Sequence, residues 1–74
     1  MNKKSLIYRI AEILTKDRSY CSPIEIGMCA GKTTMLKAFE WSYDTLEELV
    51  KDKKLERVAE PLSYRIETVT IKGE

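Results

Sequence analysis

Thr45-Leu46-Glu47-Glu48-Leu49-Val50-Lys51-Asp52-Lys53-Lys54-Leu55-Glu56-Arg57-Val58 is the stretch in which a helical period gives way to a strand. Leading into it, Leu36, Phe39, Tyr43, Leu46 and Val50 recur at steps of 3, 4, 3 and 4 residues, with no Gly or Pro between them. That spacing holds apolar side chains on one side of a helix. Thr33 or Thr34 can cap its start, and the simplest reading is one long helix from Thr34 to about Lys53. Asp44-Thr45-Leu46-Glu47 is itself a capping-box pattern, so a break near Trp41-Ser42 is the alternative. Lys51, Lys53 and Lys54 crowd the last turn, where cations favour the negative end of the helix dipole. Downstream, Leu55–Ala59 and Tyr64–Ile71 read as strands, the second rich in β-formers. Glu60-Pro61-Leu62-Ser63 between them has turn chemistry, and the pair makes a β-hairpin. Residues 72–74 read as a frayed tail.

Upstream, residues 4–16 read as an amphipathic helix. Leu6, Ile7, Ile10, Ile13 and Leu14 form its apolar stripe, and Ser5, Arg9, Glu12 and Lys16 its wet one. Tyr20-Cys21 is a short extended piece. Ser22-Pro23-Ile24-Glu25 then carries a full helix start: Ser22 as cap, Pro23 at the first helical position, and Glu25 closing the capping box. A short helix from Pro23 to Cys29 or Ala30 follows, with Gly31 suited to the left-handed residue past its end. The expected fold class is α+β: three helices with a C-terminal two-stranded β-hairpin.

The chain of 74 residues has room for one domain, and a chain of this length buries only roughly 60% of its surface. That leaves little scope for a deep substrate cavity. The chain is 43% hydrophobic and 34% charged, a folded and soluble profile. Lys and Arg number 13 against 12 for Asp and Glu, a net charge of +1, which weighs against a strongly electrostatic DNA binder. The charge is nevertheless polarised: basic residues gather in 1–18, and Glu40, Asp44, Glu47 and Glu48 form an acidic run. The sequence shows neither a secretory signal nor an apolar run long enough to span a membrane, so a cytoplasmic protein with reduced cysteines is expected.

Helix, short strand, short helix, long helix, hairpin is the order of elements in a winged helix-turn-helix. The stretch 45–58 resembles that family's passage from recognition helix into wing: leucines on a helix, a polar turn, and a leucine opening a strand that carries an arginine. Tyr64-Arg65-Ile66 resembles the returning wing strand. The chain departs from the family pattern at Lys53-Lys54, where glycine is usual, and Gly27, Ala30 and Gly31 meet the usual helix-two-to-three turn only approximately.

The resemblance implies a small regulatory protein that binds duplex DNA. The start of the third helix would meet base edges through Lys32, Thr33, Thr34 and Lys37. Arg57 and Arg65 of the wing would meet phosphate or minor groove, and Ser22 with the amides at the second helix's start would hold a phosphate. A homodimer reading two half-sites is the natural assembly. The alternative is an interaction module of the same shape that binds a protein, or itself, through Trp41, Glu40 and Asp44. Convergence of the basic residues on one face, or intrusion of the acids there, separates the two.

No catalytic function is expected. Gly27-Met28-Cys29-Ala30-Gly31-Lys32-Thr33 has three residues between the glycine and Gly-Lys, where a phosphate loop needs four. Cys21 and Cys29 lack zinc spacing and have no histidine to join them, so neither a metal nor a cofactor is expected. Glu47 and Glu48, adjacent on a helix, diverge and form no catalytic pair.

Overall fold

The computed structural model describes residues 2–17 and 19–67. It has three helices, α1 (Lys3–Leu14), α2 (Pro23–Cys29) and α3 (Met35–Lys51), followed by strands β1 (Leu55–Ala59) and β2 (Leu62–Ile66). The strands pair antiparallel, from Leu55 opposite Ile66 to Ala59 opposite Leu62. This is the α+β layout of a winged helix.

α1 is shorter than the 4–16 expected. The Asn2 side chain caps it by accepting from the Ser5 amide at 2.8 Å. At the other end the Thr15 hydroxyl folds back to donate to the Ala11 carbonyl at 2.8 Å, closing the helix two residues before Lys16. Its buried line is Ile7 and Ala11, with Ile10 and Leu14 packed beside it. Ile13, which the sequence placed on the apolar stripe, is 64% exposed. It lies about 140° around the helix from that line.

α2 begins as read. The Ser22 hydroxyl accepts from the Glu25 amide at 3.1 Å and the Glu25 carboxylate accepts from the Ser22 amide at 2.8 Å. It ends in a Schellman motif: Gly31 takes φ +98°, its amide reaches Met28, and the Lys32 amide reaches the Gly27 carbonyl.

α3 starts after the Thr34 cap and runs unbroken to Lys51, so the alternative break near Ser42 does not occur. Ser42 is fully buried, and its hydroxyl shares a proton between the Pro23 carbonyl at 2.7 Å and the Ala38 carbonyl at 2.9 Å. This polar residue therefore ties α3 to α2 and does not interrupt the helix. The helix stops at Lys51 and not Lys53, because it closes in a second Schellman motif with Lys53 at φ 64°. The face turned inward is Ala38, Ser42, Leu46 and Leu49. That corrects the expected stripe: Leu46 is on it, whereas Leu36 is 66% exposed and Phe39 and Tyr43 are only half-buried. Gly27 of α2 lies flat on Ala38, with room for no Cβ, so the two helices cross at a contact between small residues.

The hairpin turns on Glu60-Pro61 alone, and β2 begins at Leu62 and not at Tyr64. Residues 68–71 of the expected strand, and the tail at 72–74, lie outside the described residues. Cys21 adds a further rung on β2: its amide donates to the Tyr64 carbonyl at 2.8 Å, and the Tyr64 amide donates back at 2.7 Å. The expected extended piece at Tyr20-Cys21 thus docks on the wing. One core cluster joins the elements, formed by Ile7, Ala11, Cys21, Ile26, Leu46, Leu49, Leu55 and Tyr64. Among the described residues no helix is long and apolar enough to cross a membrane.

Candidate nucleic-acid and protein interface

The residues expected to meet DNA do not converge as free cations. Arg57 and Arg65 flank the turn in sequence, but the register sets Arg57 opposite Tyr64 and Arg65 opposite Glu56. Opposed residues share a face and successive residues alternate, so the two arginines point to opposite faces of the hairpin. Arg57 shares the inner face with Tyr64. Its guanidinium donates to Glu47 of α3 at 2.9 Å. The Tyr64 hydroxyl donates to the other oxygen of Glu47 at 2.6 Å. Burial first, and then this carboxylate, push the Tyr64 phenol pKa up. Arg65 lies on the outer face, 2.9 Å from Glu56 and over the Tyr20 ring at 4.6 Å. The Glu56 hydrogen bond holds the Arg65 pKa up.

Lys32 is also engaged. Its Nζ lies 4.9 Å from the centre of the Trp41 ring, and Lys3 of α1 lies 5.1 Å from the same ring. Trp41 is half-buried against the core. It forms a side wall of the core, with the Lys3 and Lys32 ammonium groups over its ring. Trp41 is thus half-buried where Glu40 and Asp44 are exposed; Asp44, roughly 60° away around the helix, is its neighbour, and Glu40 lies roughly 100° away.

Ser22 and Thr34 spend their hydroxyls on caps, Thr34 accepting from the Lys37 amide at 3.1 Å. The Glu25 carboxylate already sits on the first turn of α2, where a phosphate would bind. Thr33 and Lys37 remain exposed. Lys37 stands on the same side of α3 as Glu40 and Asp44, at three- and seven-residue steps. The acids thus enter the face that would approach a groove.

Alongside these charges lie exposed and half-buried apolar side chains, of which Leu36, Phe39 and Tyr43 were expected on the core stripe. Leu36 is 66% exposed, Met35 64% and Met28, at the end of α2, 47%. Phe39 and Tyr43 stack on each other with centroids 5.1 Å apart and rings 12° from parallel. The signal available in the sequence was the small trio Gly27, Ala38 and Ser42. Small residues mark where two helices approach closely, and so fix which side of α3 faces in.

Cys21 is buried and Cys29 exposed, both free. Burial first, with Glu25 nearby, pushes the Cys21 thiol up to about 12. No metal-binding cluster of His, Cys, Asp or Glu occurs among the described residues. An open groove of about 570 Å³ lies between α1 and the end of α3, lined in part by Lys4, Tyr8, Arg9, Leu49 and Asp52. Lys4 and Asp52 close on each other there at 2.6 Å.

Comparison with protein-family models, curated proteins and solved structures gives no match to this chain.

Proposed function

We propose that the domain is a winged-helix-shaped protein-interaction module whose docking face is the outward side of α3. The observation that carries this reading is where the basic groups go. Arg57 is held by Glu47, Arg65 by Glu56, and Lys32 by the Trp41 ring. A phosphate would have to compete with each of these partners. The net charge of +1 supplies no compensating long-range attraction. Meanwhile α3 presents Leu36 and the Phe39–Tyr43 stack, which suit the apolar centre of a protein contact better than a groove of DNA.

A second reading, regulation through duplex DNA, is supported by Thr33 and Lys37, exposed around the start of α3, and by the winged-helix order of elements. Fluorescence anisotropy on random-sequence duplex DNA over a range of salt separates the two. The interaction module is expected to show no binding even at low salt. Affinity that falls steeply with salt, and is reduced by Lys32→Ala and Lys37→Ala, would overturn it in favour of the DNA reading.

A further inference from the structure

We infer that the outward face of α3 pairs with a second copy of this chain, antiparallel, about a two-fold axis at the level of Phe39 and Glu40. This rests on the reading of α3 as an interaction face and names its occupant. Leu36, Phe39 and Tyr43 form the apolar part of the face; neither Phe39 nor Tyr43 belongs to the core cluster or the shell packed on it. Beside them stand Lys37, Glu40 and Asp44. Other acids of α3 are engaged: Glu47 with Arg57 and Tyr64, Glu48 with Lys4. Among the described residues Lys37, Glu40 and Asp44 take part in no ion pair.

The order of these residues makes the face self-complementary. In an antiparallel pair with its axis midway between Phe39 and Glu40, Leu36 of each copy lies level with Tyr43 of the other. Lys37 of each copy then falls between the levels of Glu40 and Asp44 of the other, about 3 Å from each along the axis. Two-fold symmetry keeps these charges on one side of the seam, so both lysines meet carboxylates. Each lysine thus faces two acids, and Leu36 covers the Tyr43 ring, which the monomer leaves only half-buried. The apolar part of the face spans only about 10 Å of helix, which places the contact in the small, transient class, with dissociation on the order of 100 µM.

Sedimentation equilibrium of the full chain from micromolar to millimolar concentration tests this. A reversible monomer–dimer equilibrium is expected, weakened about tenfold or more by Leu36→Glu. The decisive arm uses charge exchange. Lys37→Glu makes the face wholly acidic, and Glu40→Lys with Asp44→Lys makes it wholly basic. Each variant alone is expected to be monomeric, and the two mixed in equal amounts are expected to form a heterodimer. All three positions are exposed, and unchanged helical circular dichroism would verify the fold of each variant. A wild-type chain that stays monomeric at millimolar concentration, a dimer indifferent to Leu36→Glu, or charge variants that fail to combine would overturn the inference. Failure of the broader reading would show differently, as salt-dependent DNA binding in the anisotropy experiment.

Discussion

Tyr64 is fully buried, yet its hydroxyl ends on the Glu47 carboxylate that also receives Arg57. One acid thus joins α3 to both strands of the wing. Removing the hydroxyl leaves Glu47 with Arg57 alone, so Tyr64→Phe is expected to destabilise the fold by about 1–2 kcal/mol, read by urea unfolding. An unchanged midpoint would mean that the bond contributes nothing net. The cysteines offer a second contrast. Cys21 is buried beside Tyr64 with its thiol pushed up to about 12, whereas Cys29 stands exposed at the end of α2. The thiolate is the reactive species, so iodoacetamide is expected to label Cys29 in the native protein and Cys21 only after denaturation. Mass spectrometry of the labelled chain would check this, and native labelling of Cys21 would contradict its burial.

At the scale of elements, α3 ends at a position that glycine ordinarily fills. Lys53 sits at φ 64°, in the left-handed region where a Cβ crowds the backbone, and its amide and that of Lys54 still close the Schellman bonds. Lys53→Gly is therefore expected to raise stability by about 1 kcal/mol, seen as a higher melting temperature; no gain would mean that the lysine adopts this turn without strain. The Lys53-Lys54 departure from the winged-helix pattern was visible in the sequence, and the strain it implies follows from the backbone. The caps were legible for the same reason: Ser22, Pro23, Glu25 and Gly31 act within a few residues of themselves, and all behave as read. The rotation of α3 was not legible. Leu36, Phe39 and Tyr43 have core-like spacing, but Gly27 and Ala38 set which side α2 approaches, and that is a long-range contact. The engagement of Arg57 and Arg65 was hidden too, because strand register, starting from a two-residue turn at Glu60-Pro61, decides which face each arginine takes.

Over the whole molecule, the core closes where three segments meet: the Cys21 piece after α1, α3, and the wing strand that carries Tyr64. Two acids with raised pKa values lie at this junction, so the fold is expected to weaken in alkali. Cys21 has an ordinary value of 9.0 and is pushed up to about 12 by burial. Well below 9 both folded and unfolded chains keep the thiol proton, and stability does not depend on it. Above 9 the unfolded chain loses that proton first, so it binds fewer protons than the folded chain and stability falls as pH rises. Tyr64, raised from 10.0 chiefly by burial, adds to the fall in the same direction at higher pH. In the interval between these ordinary values the thiol therefore contributes most of the fall. Urea midpoints are expected to be nearly level well below pH 9, then to drop between 9 and 10 in the wild type and by much less in Cys21→Ala. Because one core serves helices and wing together, the Trp41 fluorescence and helical circular dichroism transitions are expected to coincide throughout. A wild-type midpoint that stays level through this interval would mean that the Cys21 thiol ionises without opening the junction.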